Sequence, residues 1–300
     1  MRRNRSCGIF VFLAAMVVPA FAAEPPQASP PPAPTKVVRS PGNAQWASSP
    51  DEARTLAAEQ KKLVFYEFDQ AKCGKCRRMD QLLYPAFEFE ALLIPMVPVK
   101  VMIDSGDGKR LAGRYGIEDV PAILVTTPQG RLVFQMQGFV NPQDFYPHIH
   151  KDLDAYRLFS KRIDAQDVSR LSAQAALDAG RELYRLTDSA AAQPRLARAI
   201  SAPQAPPPVR DEAREILAAV EQDLGHVTAS RDTIERLIAT TRDPDRRERA
   251  ELFRAQLSLA ENKPADAYAL FQKFQKDHPQ SPYRSQVDAL IARVEASLPK

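Results

Sequence analysis

Two cysteines stand two residues apart in Cys73-Gly74-Lys75-Cys76, directly after a strand-like apolar run and at the start of a helical one. Leu63 to Phe68 reads as the strand, and Cys76, Met79 and Leu83 follow at helical spacing. The sulfurs therefore fall at a strand-to-helix junction. There the first sulfur meets the positive end of the helix dipole and the unpaired N–H groups of the first turn. A thiolate is favoured at such a place, below the free thiol value of ~8.5, and only the thiolate attacks a disulfide. The two-residue spacer brings the second sulfur within closing reach. Lys72, Lys75, Arg77 and Arg78 add positive charge nearby.

The rest of the cysteine usage points the same way. The third cysteine, Cys7, lies inside an N-terminal segment that reads as a secretory signal: Arg2, Arg3 and Arg5, then apolar Ile9 to Val18, then Ala20-Phe21-Ala22 as cleavage site. The apolar run is about half the ~20 residues a membrane-spanning helix needs. The expectation is a periplasmic or secreted protein with no stable membrane span after cleavage. Removing three arginines and no acid lowers the formal charge from +4 to +1. A nucleic-acid binder keeps a concentrated basic face, and none shows, so no nucleic-acid partner is expected. A secreted protein stapled by disulfides carries several spread pairs, whereas the mature chain keeps one close pair for chemistry. A zinc site needs four ligands as a rule. No second cysteine pair is present, and His148 and His150 read as surface residues of a distant helix. No metal and no cofactor are expected.

Residues 1–22 are thus assigned to the signal and 23–45 to a Pro/Ala-rich linker that buries too little apolar surface to pack. Ordered structure is expected from Trp46. Ser49-Pro50-Asp51-Glu52 is a helix start, with Ser49 as N-cap, Pro50 at N1 and Glu52 closing a capping box. Ala53, Leu56 and Ala57 form that helix's apolar face. Val97, Val99, Val101 and Ile103 alternate as a second strand, in which Pro98 is tolerable only near the start or at an edge. Asp107 to Tyr115 reads as a helix closed by Gly116. Ala122 to Thr126 and Leu132 to Gln137 read as strands joined across Pro128-Gln129-Gly130. A last helix starts near Asn141-Pro142 and turns Phe145, Ile149 and Leu153 inward. The order predicts one mixed sheet covered on both faces over residues 46–155, and an all-α region over 156–300. In the latter, Ala255, Ala267 and Pro279 are twelve apart each, with Phe271 at a large apolar position and Asn262 at a turn. That spacing resembles one tetratricopeptide unit over about 248–281. Candidates upstream, around 212–245, are degenerate, and a plain helical bundle is the alternative.

Glu67-Phe68 before the cysteines, the C-x-x-C itself, Leu111 to Ile117, Val120-Pro121 and Gly138 together resemble thioredoxin, across about residues 46–155. The resemblance implies an α/β thioredoxin-like domain with a central mixed sheet and helices on both faces. It implies that Cys73 attacks a substrate and Cys76 resolves the mixed disulfide. It also implies that Glu67 shuttles protons for the resolving thiol, and that Pro121 is a cis proline facing the pair. Gly74, Lys75 and the backbone of Val120 are then the positions that meet substrate, Val120 by pairing with an extended chain. Two departures stand out. Lys72 replaces the family's tryptophan and Lys75 its proline, losing an apolar recognition rim and adding charge that leans the pair toward an oxidant.

The function expected is an exported thiol–disulfide oxidoreductase that exchanges disulfides with protein substrates and a redox partner, its helical tail binding a partner or substrate. Two alternatives stand beside it. One is a non-catalytic envelope scaffold acting through the tail. The other is a Cu(I) chaperone using both thiolates, helped by Met79.

Overall fold

The computed structural model describes residues 46–296; the signal and the linker assigned above lie outside them. Two compact units divide between Arg157 and Leu158. Helix α5 (Pro142–Asp164) runs through that point.

The first unit is built on four strands in the order β2-β1-β3-β4. Strand β1 (Leu63–Asp69) pairs parallel with β2 (Met96–Met102) and antiparallel with β3 (Ala122–Thr126), which pairs antiparallel with β4 (Leu132–Gln137). The sheet is mixed, as the resemblance implies. Pro98 lies mid-strand, not near the start, and is tolerated because β2 is an edge. The Pro98 carbonyl still accepts a hydrogen bond from Ala47 N at 2.8 Å.

Side chains alternate across β1. Val64, Tyr66 and Phe68 enter one buried cluster with Ala53 and Ala57 of α1 (Pro50–Gln60) and Leu111 and Ala112 of α4 (Gly106–Tyr115). Phe65 enters the other, with Met79 of α2 (Gly74–Leu82), Phe89 of α3 (Phe87–Leu93) and Phe145, Ile149 and Leu153 of α5. Local sequence signals bound α1 and α4. Ser49 Oγ caps α1 by accepting from Glu52 N at 3.2 Å. The Glu52 carboxylate reaches back to Ser48 N at 2.6 Å, one residue earlier than a standard capping box. Gly116 ends α4 in the left-handed region at φ 65°.

Helix α3 has no counterpart in the sequence expectation. Its Phe-Glu-Phe-Glu start alternates like a strand, and Pro85 just before it signals a break. The segment is helical because Phe89, Leu92 and Leu93, at i, i+3 and i+4, are all buried against the sheet.

The second unit is helical, with a 3₁₀ turn (Val168–Arg170) ahead of α6 (Ala173–Arg185), α7 (Ser189–Ser201), α8 (Pro207–Asp223), α9 (Val227–Thr240), α10 (Pro244–Ala260), α11 (Pro264–Asp277) and α12 (Arg284–Glu295). Three successive helix pairs share one layout. Buried small residues stand twelve apart: Gly180 and Ala192, Ala218 and Ser230, Ala255 and Ala267. Seven after the first of each comes a left-handed residue at the turn: Thr187 (φ 59°), Gly225 (φ 79°) and Asn262 (φ 57°). The helices approach closely at these small residues. A Cβ on Gly180 would lie 2.7 Å from Leu196 Cγ, and Ser230 Oγ donates to the Ala218 carbonyl at 2.6 Å. Among the described residues no helix is long and apolar enough to cross a membrane.

Gly108 in α4 sits against the end of β2, and a Cβ there would lie 1.9 Å from the Met102 carbonyl oxygen. Backbone cannot yield as a flexible side chain does. We expect Gly108→Ala to destabilise the first unit by at least ~2 kcal/mol. Urea unfolding followed by fluorescence of Trp46, the chain's single tryptophan, reads that unit directly; an unchanged midpoint would refute the expectation.

Candidate functional site

Strand β1 ends at Asp69, and four residues later the chain turns into α2. Lys72 makes that turn with φ 64°, a left-handed conformation uncommon for a residue with a side chain. Cys73 is the N-cap of α2, and its sulfur accepts from Cys76 N at 3.0 Å. A sulfur held by an N-terminal amide of a helix is a place where negative charge is stabilised. Cys73 and Cys76 are joined by a disulfide with Cα atoms 5.3 Å apart. Cys73 is half-buried and Cys76 buried, so an incoming partner reaches the Cys73 sulfur first.

The loop before β3 lies beside the pair. The Val120–Pro121 peptide bond is cis, and Val120 and Ala122 share a buried cluster with Cys76, against which Cys73 packs. Gln137 of β4 braces this loop. Its Oε1 accepts from Glu118 N at 2.8 Å and Asp119 N at 3.2 Å, and its Nε2 donates to the Gly116 carbonyl at 2.9 Å. Gly138 N donates to the Pro121 carbonyl at 2.8 Å. The Val120 N–H donates to Asp119 Oδ1 at 2.9 Å. An extended substrate must therefore displace that local bond to use both of Val120's backbone groups. Asp119 Oδ2 also lies 3.7 Å from Lys75 Nζ, linking the cysteine turn to the proline loop. Gly74 is exposed in the first turn of α2.

Beneath the sulfurs lies a charged network. Glu67 and Asp69, two apart on β1, point to the same face of the sheet, and Lys100 stands directly opposite Glu67 on β2. The Lys100 ammonium is 2.9 Å from Glu67 Oε1, 3.2 Å from Asp69 Oδ2 and 3.4 Å from Asp80 Oδ1 of α2. Glu67 is 2% exposed. Burial pushes its carboxyl up to about 7, and Lys100 pulls the other way without winning. Burial works against the Lys100 charge too, but Glu67 foremost, with Asp80 and Asp69, holds the ammonium above its usual range. Tyr84 is buried beside Glu67, and burial together with that carboxylate raises its phenol well above the ordinary value. Neither Glu67 Oε2 nor the Tyr84 hydroxyl has a hydrogen bond of standard geometry.

The expected site residues divide accordingly. Cys73, Cys76, Gly74 and Lys75 form the turn, and Val120 and Pro121 form the adjacent loop. Glu67 lies in the network below. The sequence reading passes over Asp69, whose carboxylate and the two sulfurs all lie within 4.8 Å of one another. It passes over Lys100 as well. Both have a signal: Asp69 shares Glu67's face by strand alternation, and Lys100 interrupts the valines of a buried strand. Met79 is buried among Phe65 and Phe145, in a different cluster from Cys76. His148 and His150 are exposed on α5.

Residues 50–151 match the family model of the thioredoxin-like domain, and this part of the chain is such a domain. Among solved structures, a thioredoxin from Thermus thermophilus is 23% identical over 36% of this chain and 85% of that one, with a TM-score of 0.33. A DsbH oxidoreductase is 17% identical, covering 44% of this chain and 95% of its own, with a TM-score of 0.32. The oxidised C-terminal domain of Neisseria meningitidis DsbD is 19% identical, covering 35% and 88%, with a TM-score of 0.28. No curated protein matches the chain.

Because Glu67 titrates at about 7 in the folded protein against 4.5 ordinarily, the folded state holds a proton that the unfolded chain releases between those values. Stability from this group is therefore full below the lower value and falls as pH rises through the upper one. Relative to Glu67→Gln, the wild-type protein is expected to lose roughly 2–3 kcal/mol of unfolding free energy between about pH 4 and pH 8. Parallel denaturation curves for the two proteins across that range would expose a wrong sign.

Proposed function

We propose that this protein is an exported thiol–disulfide oxidoreductase, exchanging disulfides with protein substrates through Cys73 and Cys76. The observation that carries the reading is the disulfide at the first turn of α2, with one sulfur reachable and the other buried. Cys73 makes or receives the bond to the client, and Cys76 resolves it. Val120, clustered with Cys76 in the loop beside the pair, offers backbone groups to a client lying extended across it. Export rests on the sequence pattern of residues 1–22.

Two of the four cations beside the pair make other contacts. Lys75 faces Asp119, and Arg78 stacks 4.6 Å from the Phe139 ring centroid. An anion, the Asp69 carboxylate, lies within 4.8 Å of both sulfurs. A neighbouring anion destabilises the thiolate, and a less stable reduced form makes a weaker oxidant. The proposed direction is reduction or isomerisation of client disulfides, not net oxidation.

The Cu(I) reading loses its third soft ligand, since Met79 packs away in another cluster and the donor beside the sulfurs is a carboxylate. The helical unit is read as a tetratricopeptide-like partner-binding array. Its support is the layout shared by three helix pairs, where the sequence reading saw one unit. A cleft of about 550 Å³ in this unit is lined by Arg210 and Arg242, by Arg214 paired with Asp211, and by Arg246 paired with Glu215.

The protein should equilibrate with glutathione between a free and a bonded cysteine pair, with a midpoint nearer about −270 mV than about −120 mV. Cys76→Ser should accumulate mixed disulfides at Cys73, detected by mass spectrometry. Absence of cycling, together with no trapped client, would transfer the function to the helical unit as a scaffold.

A further inference from the structure

The buried Glu67 does not join the set in which Asp69, Cys73 and Cys76 lie within 4.8 Å of one another. It is tied to Lys100, and Lys100 in turn to Asp69. We propose that Asp69 exchanges the proton directly with the resolving cysteine, and that Glu67 acts on the pair at one remove, through Lys100. The inference rests on the redox reading above.

Three features make Asp69 the direct partner. Its carboxylate is near both sulfurs. Its side chain is 18% exposed, against 2% for Glu67, so a proton has a path to solvent. Its oxygens are held in place, Oδ1 accepting from Gln70 N at 2.7 Å and Oδ2 facing Lys100. The charged or titratable groups packed around it are Glu67 on its own strand, Lys100 on β2, Asp80 on α2 and Tyr84 just beyond α2.

In the mixed disulfide, Cys73 is bonded to the client sulfur and Cys76 carries a thiol. The Cys76 proton passes to the Asp69 carboxylate, and the Cys76 thiolate attacks the Cys73 sulfur. The Cys73–Cys76 bond forms as the Cys73–client bond breaks, and the client sulfur leaves with the electron pair. The client sulfur takes up a proton from water or from Asp69, and the cysteine pair has given up two electrons to the client disulfide. Asp69 has a second, opposite effect on the attack step, because its charge opposes formation of the Cys73 thiolate.

Those two effects predict opposite changes in one variant. In Asp69→Asn, stopped-flow attack on a small aromatic disulfide at pH 6 should be equal or severalfold faster. Resolution of the preformed Cys73–glutathione mixed disulfide should be about tenfold slower at pH 6, and the deficit should narrow as the pH rises and hydroxide replaces Asp69 as the base. Asp69→Glu should recover most of the resolution rate, and Glu67→Gln should shift the pH midpoint without removing the low-pH limb. A general loss of structure slows both steps together and would overturn the assignment, as would an unaltered resolution rate in Asp69→Asn. If that variant does not fold, the Glu67→Gln profile decides, because loss of the low-pH limb in Glu67→Gln gives the proton transfer to Glu67 and refutes Asp69 as the direct partner. Failure of the wild-type protein to exchange with glutathione at all counts against the redox reading instead.

Discussion

A single ammonium, Lys100, is set against three carboxylates under the cysteine turn, and the chemistry of the site depends on that imbalance. Burying an acid without a cation is costly, and Glu67 is buried almost completely. Lys100 makes its burial tolerable without fully ionising it, which leaves a carboxyl able to change charge near neutral pH. The same ammonium reaches Asp69, the acid that borders both sulfurs. Two carboxylates on one strand face thereby receive different environments and suit different tasks.

The sheet exists to hold this arrangement still. Strand β1 is central, paired on both sides and packed on both faces, so Glu67 and Asp69 project from one of the best-fixed segments of the first unit. Cys73 follows within one short turn, at the point where α2 begins. The proline loop is secured from the opposite side by Gln137, whose amide ties three backbone groups of residues 116–119. A rigid acid pair, a helix start and a braced loop converge where disulfide exchange needs defined sulfur geometry.

The helical unit shows a different economy. Successive helices pack on one another in chain order, α6 on α7, α7 on α8, α8 on α9, α9 on α10 and α10 on α11. The recurring small residues set how closely the helices approach, and the left-handed residue between them ends one helix and starts the next. Glycine, asparagine and threonine all fill that turn position, and glycine, alanine and serine the crossing positions. Such mixed identities hide the repeat from a reading that looks for one residue type.

Much of the first unit was legible in the linear chain. The cysteine spacing, the alternating valines of β2, the Ser49 cap and the Gly116 stop are local signals, and local backbone chemistry acts on them before any long-range contact forms. The sequence by itself thus determined where the sulfurs sit, which residues line the strands, and the mixed α/β character around them. It did not reveal α3, whose period-two start argues for a strand until burial against the sheet selects the helix. Nor did it reveal the partnership of Asp69 and Lys100, thirty-one positions apart, or the contacts of Lys75 with Asp119 and of Arg78 with Phe139. Those were decided by tertiary structure alone, because the charge felt at a sulfur depends on distance and burial in space, and neither is written in the order of residues along the chain.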